Sequence, residues 1–332
     1  MKNIAINGLG RIGKLVVRRL FDVGLGTNLT QLNDLNSDSE MLAHLLEFDT
    51  VHGKWQKRVS CGRGKIVIDD IQLKLTNQNN KAKLNSSEID LLVDCTGSIK
   101  NSDDANTYFE NGIDQVLVSA PVNGDKARNI VFGVNNEIYK GPEKLVFTAA
   151  SCSTNCIAPI IKVLHEKIGI QHGSFTTIHN VTNTQTIVDK PAKDLRRARS
   201  ALNSLIPTTT GSAKAISYIY PDLKGKLNGH SVRVPLLNAS LTDCVFELKR
   251  STTIEEINEK FRNAARNELE GILGYEDRPL VSTDYTNDSR SVIIDGPSTM
   301  VINGTQVKVF GWYDNEWGYA CRIVDIIRMM LN

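Results

Sequence analysis

No apolar run in the 332-residue sequence approaches the ~20 residues that a membrane span needs. Net charge is nearly absent, at +2, so no strong pull on nucleic acid or on an anionic membrane is expected. No internal period of repeat length is visible. The six cysteines (Cys61, Cys95, Cys152, Cys156, Cys244 and Cys321) are too scattered for the disulfide framework of a small secreted domain. Cys61 and Cys95 have no His or Cys at ligand spacing, and His44 and His52 lie outside any such spacing, so no metal is expected. The start, Met1-Lys2-Asn3-Ile4-Ala5-Ile6, leads directly into a strand-like run. It has neither the apolar region nor the small-residue cleavage site of a signal peptide. These absences set the expectation of a cytoplasmic protein with no membrane and no specific nucleic acid among its partners.

What is present is ordinary for a globular chain, with 41% hydrophobic and 23% charged residues, and the length suggests about two domains. The first half reads as α/β. Lys2 to Ile6 is a short buried strand and Lys14 to Phe21 an amphipathic helix, with Gly8-Leu9-Gly10-Arg11-Ile12-Gly13 between them. Glycines in this G-x-G-x-x-G spacing allow a tight turn, close approach of a pyrophosphate and close helix–strand packing. The next strand, Leu29 to Asn33, ends at Asp34, near the interval of about 20 residues at which a carboxylate accepts hydrogen bonds from ribose hydroxyls. A turn or helix cap is the other use of an aspartate there. Thr96, Gly97 and Ser119 end further apolar strands, where open α/β sheets bind ligands. Lys65 to Ile68 and Ile71 to Leu75 flank Asp69-Asp70, a hairpin turn.

Between an extended run, Lys144 to Ala150, and a helical pattern, Ala158 to Lys167, stands Ser151-Cys152-Ser153-Thr154-Asn155-Cys156. A cysteine at a strand–helix junction meets backbone N–H groups that favour a thiolate. Two small apolar cysteines packing a helix would look the same. A nucleophilic thiolate needs an imidazole partner, and His165 (on the helix), His172 (in a turn) and His179 (at a strand end) compete for that role. Beyond Gly173, β-like runs with few helices indicate an antiparallel sheet covered on one side, with an amphipathic helix over Ile254 to Glu270 and a last helix over Ala320 to Leu331. Thr208-Thr209-Thr210-Gly211-Ser212 opens a helical pattern and suits phosphate. Asp194 to Arg199 is a basic run that serves either an anion or a solvated or subunit-interface face, and Arg233 lies on a strand.

These pieces together resemble a family. Ala150-Ser151-Cys152-Ser153-Thr154-Asn155-Cys156 with His179 downstream, Asn7-Gly8-Leu9-Gly10-Arg11-Ile12-Gly13, Pro207-Thr208-Thr209-Thr210-Gly211, Gly225-Lys226-Leu227-Asn228-Gly229 and Trp312-Tyr313-Asp314-Asn315-Glu316-Trp317-Gly318-Tyr319 are similar to phosphorylating glyceraldehyde-3-phosphate dehydrogenases over essentially the whole chain. The resemblance implies an α/β Rossmann-type NAD-binding domain, residues 1–150, completed by a C-terminal helix over 316–332. An α+β catalytic domain with a mostly antiparallel sheet would take 151–315. It implies a homotetramer. Glyceraldehyde 3-phosphate would add to Cys152, with His179 as the base, and the thiohemiacetal would lose hydride to NAD. The thioester would then be attacked by inorganic phosphate. Thr182, Thr184, Arg197 and Arg233 match the site for the substrate's phosphate; Ser151, Ser153, Thr210 and Gly211 match the site for the attacking anion. Gly8, Gly10, Arg11, Ile12, Gly13, Asp34, Thr96, Gly97, Ser119 and Asn315 fall to the cofactor, Asn315 at the nicotinamide amide.

Three departures stand out. Thr76-Asn77-Gln78-Asn79-Asn80 replaces a segment that usually contains arginine on the adenine side. Lys190 replaces a small or apolar residue in a loop that in the family reaches a neighbouring subunit's adenosine, where it could accept the 2′-phosphate of NADP; Asp34 opposes that by like charge, and NAD is favoured. Pro235-Leu236-Leu237-Asn238-Ala239-Ser240, with Leu45 to Asp49 and His230, is similar to a branch found alongside arsenical efflux permeases, for which arsenate replaces phosphate. Erythrose 4-phosphate is the competing substrate, and a non-catalytic NAD- or RNA-binding protein the competing class.

Overall fold

The computed structural model describes residues 2–79 and 88–332, so Asn80 lies outside the described residues. They form two compact units, Met1–Ser151 with Tyr319–Asn332, and Cys152–Gly318.

The first unit carries nine strands in one sheet among the described residues: β1 (Ile4–Asn7), β2 (Leu29–Asn33), β3 (Val59–Gly62), β4 (Lys65–Ile68), β5 (Ile71–Thr76), β6 (Leu91–Asp94), β7 (Gln115–Val118), β8 (Ala127–Asn129) and β9 (Val146–Thr148). Their order is β3-β4-β5-β2-β1-β6-β7-β9-β8. Only the β3–β4 and β4–β5 pairs at one edge are antiparallel. Asp69, at φ +50°, makes the turn between β4 and β5. Helices α1 (Arg11–Asp22), α2 (Ser39–Glu47) and α3 (Asn106–Glu110) connect the strands. Every residue of β1, β6 and β7 is buried, as the central strands of a sheet covered on both faces must be. One apolar layer is built by Leu92, Ile99, Tyr108, Ile113, Val116 and Val146.

The second unit opens with α4 (Cys152–Lys167) and holds β10 (Ile170–Asn180), β11 (Ile206–Thr209), α5 (Ser212–Ile219), β12 (Leu227–Val234), β13 (Ser240–Leu248), α6 (Ile254–Arg266), β14 (Leu273–Glu276), β15 (Val292–Asp295), β16 (Met300–Ile302) and β17 (Gln306–Tyr313). Strand order is β11-β12-β10-β13-β17-β15-β14, with β16 beside β17. The sheet is mostly antiparallel, but β10 pairs with β12 in parallel, as does β14 with β15. Burial alternates strictly along β13 and β17, the signature of one covered face. Cys156 lies on that face of α4, fully buried, 3.5 Å from the Thr242 hydroxyl, and is a packing residue.

Three boundaries differ from the sequence expectation. His172 belongs to β10 and not to a turn. Helix α6 stops at Arg266, because Asn267 leaves the helical region at φ −128°. The closing helix α7 (Trp317–Leu331) begins before Ala320, because the Asp314 carboxylate accepts the backbone N–H groups of Glu316 and Trp317 and starts it early. Among the described residues, no helix is long and apolar enough to cross a membrane, and no group of three or more His, Cys, Asp or Glu could hold a metal ion.

Candidate active site

In the first unit the chain runs from β1 to β2 on one side and β6 flanks β1 on the other, so the strand order reverses at β1 and a crevice opens there. It holds about 550 Å³ and is lined by Asn7, Gly8, Leu9, Gly10, Asp34 to Ser37, Gln78, Asn79, Cys95, Thr96 and Ser98. The glycines act as the spacing implies. Gly8 sits at φ +88°, and a Cβ there would stand 2.8 Å from the Thr96 nitrogen. A Cβ on Gly13 would fall 2.0 Å from the Gly8 carbonyl oxygen, so only glycine lets α1 pack this close. A Cβ on Gly10 would meet nothing within 4 Å, and Gly10 caps α1 without any side-chain hydrogen bond. No side chain caps the start of α1 where Gly10 borders the crevice, which suits the approach of a pyrophosphate. Asp34 accepts the Leu9 and Asn36 N–H groups at 2.8 and 2.9 Å, one on each carboxylate oxygen. A carboxylate has about four acceptor positions, so two remain for ribose hydroxyls. The donor set fits a dinucleotide.

Gly8, Gly10, Asp34 and Thr96 thus line the crevice; Arg11, Ile12, Gly13, Gly97 and Ser119 do not. Arg11 turns to Asp49, with Nη2 3.1 Å from Oδ1 and Nη1 bonded to Oδ2. Burial alone would raise the Asp49 carboxyl; Arg11, with the His52 and Val51 N–H groups, outweighs it and holds the group well below the usual carboxylate range. Gln78 and Asn79, in the segment that departs from the family pattern, line the crevice.

In the second unit Cys152 is the first residue of α4, and its Sγ lies 3.5 Å from His179 Nε2. His179, 3% exposed, holds Nδ1 2.8 Å from the Asn180 carbonyl and turns Nε2 towards the thiol. Parallel pairing of β10 and β12 sets Arg233 directly across from His179. Its Nη1 is hydrogen-bonded to His179 Nδ1 and donates to the Asn180 carbonyl at 3.3 Å, while its Nε is buried without a partner among the described residues. Burial, aided by the Arg233 charge, pushes His179 down to about 3. Burial pushes the Cys152 thiol up; Arg233 and the Ser153 hydroxyl and N–H pull it back. Either charge alone is penalised, whereas moving the proton from Sγ to Nε2 creates two opposite charges in contact. His165 and His172 are placed elsewhere: His165 accepts the Ile170 N–H and lies 3.1 Å from Asp222, and His172 is exposed.

Two hydroxyl clusters complete the unit. Arg197 donates from Nη1 to Thr184 at 3.0 Å and from Nη2 to Thr208 at 2.8 Å. The Thr182 and Thr184 hydroxyls are 2.9 Å apart, and Thr182 donates to Gln185 Oε1 at 3.0 Å. Electrostatically, Arg233 feels both Cys152 and Arg197. In the other cluster, the Thr210 and Thr154 hydroxyls both reach Ser212 Oγ, at 3.1 and 3.3 Å, joining the start of α4 to that of α5. Gly211 caps α5 and leaves open space where a side chain would stand. Ser153 bonds the Tyr313 hydroxyl at 3.2 Å. Ser151 is the last residue of the first unit before the division. Gln185 and Thr154 were given no role from sequence; Thr208 and Ser212 belong to the hydroxyl run that suits phosphate, but the fold divides them, Thr208 going to Arg197 and Ser212 to Thr154 and Thr210. Lys190 is exposed, in a loop where Ile187, Val188, Leu195, Leu202 and Leu205 are each at least 67% exposed. Asn315 accepts from the Ser240 hydroxyl at 2.9 Å, which leaves its amide NH2 as a donor.

Residues 2–102 match the pattern of the glyceraldehyde 3-phosphate dehydrogenase NAD binding domain, and residues 151–315 that of the glyceraldehyde 3-phosphate dehydrogenase C-terminal domain. Among curated proteins, glyceraldehyde-3-phosphate dehydrogenase 3 of Nostoc sp. is 51% identical over 98% of this chain and 97% of its own length. Glyceraldehyde-3-phosphate dehydrogenase 1 of Bacillus cereus is 46% identical over 99% of this chain and 98% of its own. Glyceraldehyde-3-phosphate dehydrogenase 2 of Bacillus subtilis is 44% identical over 98% and 95%. With a dinucleotide crevice in one unit, a thiol–imidazole pair in the other, both family patterns matched and relatives aligned over nearly the whole chain, the chain belongs to the glyceraldehyde-3-phosphate dehydrogenase family.

Proposed function

We propose that this chain oxidises glyceraldehyde 3-phosphate to the acyl phosphate 1,3-bisphosphoglycerate. The observation that carries the reading is Cys152 Sγ at 3.5 Å from His179 Nε2. His179 takes the thiol proton as Sγ attacks the aldehyde carbon, and returns it to the oxygen as the C=O double bond opens, giving a thiohemiacetal. The glycine turn and Asp34 would hold NAD, which when bound would supply the hydride acceptor; His179 takes the hydroxyl proton as the thiohemiacetal is oxidised to the thioester. Inorganic phosphate then attacks the thioester carbon and the Cys152 thiolate leaves. Two separate anion sites are required by this sequence, one for the phosphate already on the substrate and one for the phosphate that arrives. Thr182, Thr184, Arg197 and Arg233 serve the first, with Ser151, Ser153, Thr210 and Gly211 for the second. The reaction places the enzyme in glycolysis, in the cytoplasm. The exposed apolar side chains of the Lys190 loop support assembly into a homotetramer.

The test is NADH formation with glyceraldehyde 3-phosphate against erythrose 4-phosphate, each with phosphate and with arsenate. A higher kcat/KM for the erythrose ester would overturn the substrate. Arsenate as the preferred anion is the second reading; it rests on Pro235 to Ser240, which bonds both Asn180 and the Asp314-Asn315 turn and so adjoins the catalytic histidine. Equal kinetics with the two anions would remove it. NADP in place of NAD, through Lys190, is decided by the same assay with each cofactor.

Arg197→Ala removes a charged donor while leaving Cys152 and His179 in place. Hydrogen bonds to charged groups are worth about 1.5–3 kcal/mol, so KM for glyceraldehyde 3-phosphate should rise roughly 10- to 100-fold with kcat little changed. A fall in kcat at constant KM would remove Arg197 from the substrate phosphate.

A further inference from the structure

Beneath the nucleotide crevice, four parallel strands end on polar side chains at the same level of the sheet. Register pairs Asn33 with Thr76, Asn7 with Asn33, and Asn7 with Asp94. Asn7, Asn33 and Asp94 are 8%, 2% and 0% exposed, so their hydrogen bonds must be made within the protein. They are. Thr76 donates to Asn33 Oδ1 at 2.7 Å, and the Gln78 N–H donates to the same oxygen at 2.8 Å. Asn33 Nδ2 donates to Asn7 Oδ1 at 2.8 Å. Asn7 Nδ2 donates to the Tyr108 hydroxyl at 2.8 Å and to Asp94 at 3.3 Å. Tyr108, fully buried on α3, donates to Asp94 Oδ2 at 2.9 Å. The other Asp94 oxygen takes the Thr96 hydroxyl at 2.6 Å and the Thr96 N–H at 3.0 Å.

This ladder has a direction, and one end sets it. Asp94 only accepts, so Asn7 must turn its NH2 towards it and its oxygen towards Asn33. Asn33 must then turn its own oxygen towards Gln78. Both ends of the ladder, Thr96 and Gln78, line the crevice. Tyr108 is the member that comes from outside the sheet, and its one hydroxyl both accepts from Asn7 and donates to Asp94. Burial and the adjacent Asp94 charge keep that hydroxyl protonated by raising it far above the ordinary tyrosine range.

We propose that Tyr108 is a positioning residue for the dinucleotide: through Asp94 and the Asn7–Asn33 ladder it sets the Thr96 and Gln78 walls of the crevice. The proposal rests on the reading of that crevice as the NAD site. Tyr108→Phe keeps the ring and removes the hydroxyl, leaving Asn7 and Asp94 each one partner short. The dissociation constant for NAD, measured by calorimetry on the full chain, should rise about fivefold to tenfold, with kcat at saturating NAD nearly unchanged. Amide hydrogen exchange at Thr96 and Gln78 should speed up in the absence of NAD. Ile113→Val, in the same apolar layer, is the control: it should lower Tm and leave NAD affinity alone. If Tyr108→Phe lowers Tm with no change in affinity or exchange, or if Ile113→Val weakens NAD equally, the ladder is only structural and the proposal falls. Failure of the wild-type chain to bind NAD would instead sink the cofactor reading.

Discussion

Cys152→Ala should abolish NADH formation from glyceraldehyde 3-phosphate and leave NAD binding intact. Without Sγ no thiohemiacetal forms, and the aldehyde hydrate has no covalent route to an acyl phosphate. Loss of a nucleophile that works as a unit with its base lowers turnover by at least about 10⁴-fold. The crevice residues Gly8, Gly10 and Asp34 all lie in the first unit and are untouched, so calorimetry should return the wild-type NAD affinity. Stability should change little, because Cys152 is only half-buried and its neighbour Cys156 carries the packing against Thr242. Retained turnover would refute the nucleophile, and loss of NAD binding would mean that the substitution had disturbed more than the thiol. The non-catalytic NAD- or RNA-binding reading predicts no turnover in the wild-type chain either.

His179→Gln should lower kcat by roughly 10²- to 10⁴-fold, the usual contribution of a positioned base. The variant must form its thiolate without a proton acceptor. Burial pushes the Cys152 thiol up, so the variant's residual rate should climb with pH well into the alkaline range. A variant rate that is flat with pH would argue that thiolate formation is not what His179 assists. The same residue makes a stability prediction. In the unfolded chain the imidazole takes up a proton below its ordinary value of about 6.5. In the folded protein, burial and Arg233 delay that to about 3. The unfolded state therefore binds more protons across that window, and stability is lost as pH falls from about 6.5 towards 3. Thermal melts of His179→Gln should show a shallower acid slope by one proton's worth; an identical slope would mean that the ring is not buried neutral.

What was legible in the sequence is what local chain geometry dictates. The Gly8 to Gly13 turn is set by backbone sterics within six consecutive residues, and Cys152 at a strand–helix junction follows from the elements on either side of it. Asp34 was legible because it lies at the end of the very next strand. The β-like runs beyond Gly173, with few helices among them, marked a sheet with one covered face, as the burial along β13 and β17 bears out. By residue type alone, however, three histidines stood level as partners of Cys152.

Tertiary structure decided between them. His165 is spent on Asp222 and the Ile170 N–H, His172 points outward from β10, and only His179 reaches Sγ. Parallel pairing of β10 with β12 then sets Arg233 against His179, and no reading of either strand by itself contains that register. Arg11 is a further case: the resemblance assigns it to the cofactor, and only the fold shows its side-chain charge answered by Asp49, far along the chain. The same holds for the ladder from Thr76 through Asn33 and Asn7 to Asp94, whose members come from four strands and meet only because the sheet brings their ends level. Short-range sterics act within a few residues and can be read along the chain. Hydrogen bonds and charges act across space, so their partners exist only once the strands have paired.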